Sequence, residues 1–370
     1  MATNNVLGII FANAYDSTIP EITALRAMGS VPFAGRYRLI DLPLSSMVNA
    51  GITNVGVITK SNYRSLMDHL GSGKAWDLSR KNEGLKILPP FSIPDSGDVI
   101  SKISALYGSI SFISDSGKDY VLFADCNSVS GIDYADVIEF NAKKNADITI
   151  VCAKGMPASV ARATEVVTAA DGKVTELKKM DDFSKEVNYS AKCCIIKRVL
   201  LERLLHEANA KRISSFEELF AANIDKLNVY AYQYEGYIKV IDSIEAYYDA
   251  SMDLLDPEVR KAVFNAENPV YTKAGDRTPA MYGKDADVKN SLISDGCKIE
   301  GTVENCLLSR GVKIGKNSKI TNSIIMQDTV IGDNVELDCV IIDKDATIKN
   351  NKKLCGASNY PVFVGKGIVI

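Results

Sequence analysis

The chain has 370 residues, 43 basic and 46 acidic side chains for a net charge of −3, and a hydrophobic share of 46%. That length carries two or three domains with buried cores, and the near balance of charge excludes the broad basic field that nucleic acid or an anionic membrane would require. No early segment joins a basic flank to a long apolar run, and eight cysteines show no C-x-x-C spacing. The expectation is a cytoplasmic chain whose free thiols are buried, without a membrane span or leader.

From Val6 to about Tyr248 short apolar runs alternate with amphipathic ones. The runs VLGIIFA, TNVGVIT, YVLFAD, ADITIVCA, KCCIIK and LNVYAYQY read as strands. Leu44–Ala50, Val99–Ile113, Tyr134–Lys144 and Val199–Ala208 read as helices. Such alternation predicts an α/β domain with a mostly parallel, Rossmann-like sheet, whose ligands sit beyond the carboxyl ends of the strands. A polar helical connector is predicted over Ile244–Val263.

From about Asp287 the period becomes six. Cys306, Val312, Ser318, Ile324 and Val330 form one column, and Leu308, Ile314, Ile320 and Met326 a second. After Val330 the phase slips and resumes with Val335, Leu337, Ile341 and Ile348, with Gly311, Asn317, Asn322 and Asn334 between columns. This predicts stacked short parallel strands, a β-helix of hexapeptide repeats. The expected division is 1–250, a connector over 251–286, and the β-helix over 287–370, with Tyr360-Pro361-Val362 and Ile370 capping it.

The stretch RAMGSVPFAGRYRLIDLPLSSMVNAG (26–51) and the loop HLGSGKAWDL (69–78) resemble the bacterial glucose-1-phosphate adenylyltransferase family, and the resemblance covers almost the whole chain. It implies a nucleotidyltransferase-like domain followed by a left-handed β-helix. GSGK alone suggests a P-loop, but Asp68 and Ala75 stand where that motif needs Gly and Ser or Thr. The family's glycine-rich phosphate loop GGxGxRL falls on Ala12–Ile19, where there is no glycine and Asp16 adds negative charge. Its Arg falls on Thr18, and the Lys of RAKPAV falls on Met28.

The same resemblance places Asp125 at the first magnesium carboxylate and Val240 at the second, with Asp242 two residues on. The sugar-phosphate EKP motif falls on Lys178-Lys179-Met180, with Lys179 one position out of register, and the family's GTADAV falls on residues 101–106. Ser190 is kept, while a neighbouring Gly is replaced by Lys192. Asp125, Lys179 and Ser190 are therefore read as vestigial substrate-site positions, with no catalytic residue and no metal ligand set. Arg26, Arg36 and Arg38 match arginines that line an anionic effector pocket in bacterial members, although Leu25 and Pro32 replace a Lys and a His of that pocket. Surface or interdomain ion pairs remain the other reading. The two histidines, His69 and His206, support no catalytic role.

The resemblance thus implies a noncatalytic, D-type regulatory subunit acting in glycogen synthesis. It would need no cofactor of its own, Mg²⁺ belonging to a catalytic partner subunit in a heterotetramer. The alternatives are a working nucleotidyltransferase using Asp125, Asp242 and Lys179, and a stand-alone sugar-nucleotide sensor.

Overall fold

A computed structural model describes residues 5–89, 101–155, 163–180 and 185–370. Nine strands build the first sheet: β1 (Val6–Phe11), β2 (Asn54–Ile58), β3 (Gly84–Leu88), β4 (Tyr120–Asp125), β5 (Ile148–Gly155), β6 (Thr164–Thr168), β7 (Val174–Lys179), β8 (Val187–Lys197) and β9 (Val229–Tyr234). β4, β1, β2 and β3 run parallel in that order, and β9 lies parallel to β5. β8 is antiparallel to both β4 and β5 and joins the two parallel groups. Every residue of β1 is buried, as expected of a central strand covered on both faces. The predicted helix at Val99–Ile113 is two short helices, Lys102–Gly108 and Ile110–Ser114, and its first residues lie outside the described ones.

Phe11 and Asp125 are register partners at the carboxyl ends of β1 and β4. The loop after β1, Asp125 and the start of the Lys102–Gly108 helix therefore converge on one cleft, where such sheets place their ligands.

Three five-stranded parallel sheets form the C-terminal β-helix, in agreement with the hexapeptide period. Ile320 pairs with Leu337 one coil on, and side-chain ladders such as Asn317 to Asn334 repeat at an interval of 17 residues. Asn317, Asn322 and Asn334 turn the corners at positive φ. One expectation needs correcting. The phase slips at Asn322-Ser323 and not after Val330: Ser323, Ile325, Thr329 and Ile331 are buried, while Val330 is 37% exposed. Ile325 belongs to the β-helix interior, whereas Ile324, Met326 and Ile341 face outward into a separate cluster against the α/β region. A 17-residue coil has two six-residue sides and one five-residue side, so a strict six-residue column drifts to the wrong face.

That outward cluster joins the two regions. Leu307, Ile324 and Ile341 pack with Val31, Leu39, Leu42, Tyr247, Tyr248 and Leu254. The predicted connector is helical, at Ile244–Met252 and Pro257–Val263, but five of the nine residues of the first helix are buried. The Tyr248 hydroxyl donates to the carbonyl of Asn322 (2.6 Å) and the Tyr247 hydroxyl to that of Pro32 (2.8 Å). At the far end Ile370 exchanges backbone bonds with Thr347 and Lys349, whereas Tyr360 is exposed.

Candidate functional site

The loop after β1 is held by its own side chains. Asn13 Oδ1 accepts from the Thr59 hydroxyl (2.6 Å) and the Lys60 amide (2.9 Å), and its Nδ2 donates to the Ser61 carbonyl (3.1 Å) and to Asp16. Asp16 Oδ1 accepts the Met28 amide at 2.7 Å. Residues Asp16–Thr18 form a 3₁₀ turn in which the Thr18 amide bonds to the Tyr15 carbonyl at 3.0 Å. A phosphate loop of glycines leaves such amides facing the ligand; here the loop turns inward. Burial pushes the Asp16 carboxyl up to about 6, against the pull of its bonds to Met28 and Asn13. Met28, standing where a cation was sought, is 1% exposed and packs with Tyr15, Ile19 and Ile22.

Asp125 lies at the floor of the cleft. Its Oδ2 accepts from the Tyr15 hydroxyl at 2.9 Å and from the Lys102 ammonium at 2.5 Å. Burial and the Asp125 charge both drive the Tyr15 pKa up. For Lys102, burial favours the neutral amine, but the charge and hydrogen bond of Asp125 together with Tyr15 and Glu217 outweigh it, so the ammonium stays protonated. Val240 pairs with Ser128 on a two-stranded ribbon and packs beside Met180 and Tyr189. Asp242 lines neither cavity of the cleft. Among the described residues no three His, Cys, Asp or Glu side chains converge as metal ligands. Mg²⁺ demands near-octahedral oxygen coordination and is commonly held by one or two carboxylates with substrate phosphates. One carboxylate already engaged by an ammonium and a phenol does not fit it.

On the sugar side, Ser190 and Thr164 line a cavity of about 60 Å³ with Lys192 and Glu217. Lys192 keeps a backbone suited to glycine, with φ +57°, inside the bulge of β8 between Ser190 and Cys194. Its ammonium reaches Glu217 at 2.9 Å and Thr164 Oγ1 at 3.3 Å. The Glu217 carboxyl falls to about 2: burial would raise it, but the charge and hydrogen bond of Lys192 prevail. Lys179 is exposed at the end of β7 and does not reach this cavity. On the other side of Lys102 a second cavity, about 70 Å³, is walled by Phe11, Ile58 and Leu88.

A larger cavity, about 280 Å³, opens between the α/β region and the β-helix. Arg36, Arg38, Lys273, Arg277, Arg310 and Lys344 line it with His69, and among the described residues no carboxylate lines it. Two of these cations have partners behind them: Arg277 grips Asp328 through two bonds (2.7 and 2.8 Å), and Arg310 Nε reaches Asp295 at 3.2 Å. Arg38 donates to Ser65, and burial pushes its pKa down to about 10, leaving it charged at neutral pH. Lys344 falls to about 7, first through burial and then through Arg38 and Arg26. Arg26 itself does not line the cavity. Its two terminal nitrogens bind both oxygens of Asp343 at 2.8 Å, an interdomain pair with each side chain only 4% exposed. His69 Nε2 lies 2.6 Å from Asp41, and burial lowers its pKa. His206 is exposed and edges the Tyr107 ring.

Residues 8–188 match a nucleotidyl transferase family model, and residues 278–358 match a GlmU-like C-terminal hexapeptide model. Fold and cleft define a nucleotidyltransferase-type domain joined to a hexapeptide β-helix. Glycogen biosynthesis protein GlgD of Bacillus subtilis is 36% identical over 369 residues, covering 100% of this chain and 98% of that protein. Glucose-1-phosphate adenylyltransferases of Clostridium perfringens (strain SM101) and Fervidobacterium nodosum are 33% and 31% identical over 90% and 95% of this chain and 87% and 85% of their own lengths. The chain belongs to the glucose-1-phosphate adenylyltransferase family.

Sequence reasoning missed Lys102, Glu217, Lys344 and the cations at 273, 277 and 310. A signal existed for Lys102 alone: Ser101 caps its helix by accepting the Ser104 amide, so a lysine opens the first turn, where the helix dipole disfavours positive charge.

Proposed function

We propose that this chain is a noncatalytic regulatory subunit of glucose-1-phosphate adenylyltransferase in glycogen biosynthesis. It acts on a catalytic partner subunit that converts ATP and glucose 1-phosphate to ADP-glucose and pyrophosphate and holds the Mg²⁺ for that step, assembled with it as a heterotetramer. The observation that carries this reading is a difference in charge between two pockets. In the cleft, Lys102 and Lys192 are matched by Asp125 and Glu217. In the interdomain cavity six cations converge without a lining carboxylate. A cleft that stabilises no developing negative charge supports no phosphoryl chemistry, while the interdomain cavity suits a polyanionic effector held by Arg36, Arg38 and Lys344.

An effector acts through such a subunit only by binding two states of the assembly unequally. The docked face of the β-helix and the Arg26–Asp343 pair lie beside this cavity and supply a junction that an anion could bias. The test is ADP-glucose formation from ATP, Mg²⁺ and glucose 1-phosphate, with the chain alone and mixed with a catalytic subunit. No product alone, and altered KM or effector response in the mixture, is expected. Product from the chain alone at a rate normal for the family overturns the reading. Binding of ADP-glucose by the chain alone, with no change in the mixture, would favour a sensor instead.

A further inference from the structure

We infer that Lys102 is a resident cation, seated at Asp125 where a divalent metal would otherwise be held, so that the cleft is electrostatically complete without metal or nucleotide. The inference stands apart from any partner subunit, since it concerns the chemistry of one seat in this chain.

The seat suits an ammonium and not a divalent ion. Among the described residues Asp125, whose side chain is 1% exposed, is the carboxylate that bonds the Lys102 ammonium, while Glu217 across the same cavity is held by Lys192. Around the Lys102 nitrogen stand Asp125 Oδ2 at 2.5 Å, the Tyr15 hydroxyl at 3.3 Å, and the ring centroids of Phe11 at 5.2 Å and Tyr15 at 5.1 Å. Two aromatic faces and one carboxylate offset the desolvation of a single buried ammonium. A divalent ion needs several oxygens instead, and Val240 brings only methyl groups to the ribbon opposite.

The local structure accepts a cost to hold this lysine. It opens a helix of seven residues at the end where the dipole opposes a cation, and the Asp125 carboxylate, the Tyr15 hydroxyl and two ring faces offset that. Tyr15 completes the arrangement, because its hydroxyl donates to the same carboxylate oxygen that accepts from Lys102. The inward loop after β1 and the filled seat are therefore one construction: Asp16 and Asn13 fix the loop, the loop delivers Tyr15, and Tyr15 and Lys102 share Asp125.

The test is Mn²⁺ binding to the full chain, read from loss of the free-Mn²⁺ electron paramagnetic resonance signal and from the melting temperature across a Mn²⁺ titration. The unaltered chain should take up no Mn²⁺ that depends on Asp125. Lys102→Ala should strand the Asp125 carboxylate and lower the melting temperature, with no Mn²⁺-dependent recovery, and Lys102→Ala combined with Asp125→Asn should recover most of the loss. Lys102→Gln, which keeps a neutral donor beside Asp125, serves if the alanine variant does not fold, with a smaller loss expected. Uptake of Mn²⁺ by the unaltered chain that Asp125→Asn abolishes would overturn the inference. So would folded Lys102 variants that melt no lower than the unaltered chain.

Discussion

The two pockets of this molecule contain similar groups put to opposite use. In the cleft Lys102 and Lys192 have a carboxylate within 3 Å, Asp125 and Glu217, and the remaining cavities measure only about 70 and 60 Å³. Between the domains the cavity is about 280 Å³, its carboxylate partners sit behind the wall, and the lining residues are basic or neutral. Pairing inside the pocket removes the reason for an anion to bind, whereas cations that converge with their counter-charges outside the lining create one. The comparison teaches that the number of cations does not identify an anion site; the position of their counter-charges does.

The largest expected effect comes from the junction that frames the second pocket. Arg26 and Asp343 are buried together, so removing one leaves an uncompensated charge, which costs about 3–5 kcal/mol. We expect Arg26→Ala to lower the unfolding free energy, read from urea denaturation, by that amount. The double change Arg26→Met with Asp343→Leu should recover most of it, because two buried apolar groups leave no charge stranded. A loss below about 1 kcal/mol for Arg26→Ala would mean that the pair is open to water in solution.

Lys344 sharpens the contrast next. Its folded pKa, about 7, lies below its ordinary value of 10.5, so the unfolded chain holds this proton more tightly. The penalty on folding is full below pH 7 and is relieved as pH rises from 7 toward 10.5. Lys344→Met should therefore stabilise the phosphate-free chain by about 2 kcal/mol near pH 6.5, with the gain fading by pH 9. Inorganic phosphate should raise the melting temperature of the unaltered chain, more at pH 6.5 than at pH 8.5, and less in Lys344→Met or Arg38→Ala. Equal stabilisation by phosphate in all three proteins would remove the pocket from consideration as an anion site.

A smaller effect tests the loop that closes the cleft. Asp16 rises to about 6 from 3.8 because it is buried, so the folded chain binds this proton more readily than the unfolded one. Stability contributed by the protonated form is lost as pH climbs from about 4 to 6, and the penalty is complete above that. Asp16→Asn keeps an acceptor for the Met28 amide. It should add about 1–2 kcal/mol at pH 8, after discounting for partial exposure, and nothing near pH 4. A variant less stable at pH 8 would show that the charge itself holds the loop.

These tests probe what the sequence left hidden. The alternation of strands and helices and the six-residue repeat were legible because periodicity reports which face is buried. The slip at Ser323 was not, because Ile324 and Met326 are apolar on a face that docks against the α/β region, and a strand covered on both sides carries no alternation. In the cleft, absence was legible: no glycine after β1, Met28 for a cation, Val240 for a carboxylate. What replaced those groups was not, since Lys102 and Asp125 lie 23 residues apart and Arg26 and Asp343 lie 317 apart. Only the fold brings such pairs together.

Lys192 carries the smallest expected effect at neutral pH and the clearest one in acid. Its φ of +57° strains any residue but glycine or asparagine by about 1–2 kcal/mol. Lys192→Gly relieves that strain while losing an ion pair with the partly exposed Glu217, worth about 0–1 kcal/mol. The two nearly cancel, so the unfolding midpoint at pH 7 should move little. The acid limb should move. Glu217 sits near 2 against an ordinary 4.5, so its contribution is present above pH 4.5 and is lost as pH falls toward 2. Without Lys192 that carboxyl returns upward, and the variant should lose less stability than the unaltered chain between pH 4.5 and 2.5. An unchanged acid limb would mean that the ammonium does not reach Glu217 in solution, and the cleft would then lose the internal pairing that sets it apart from the interdomain cavity.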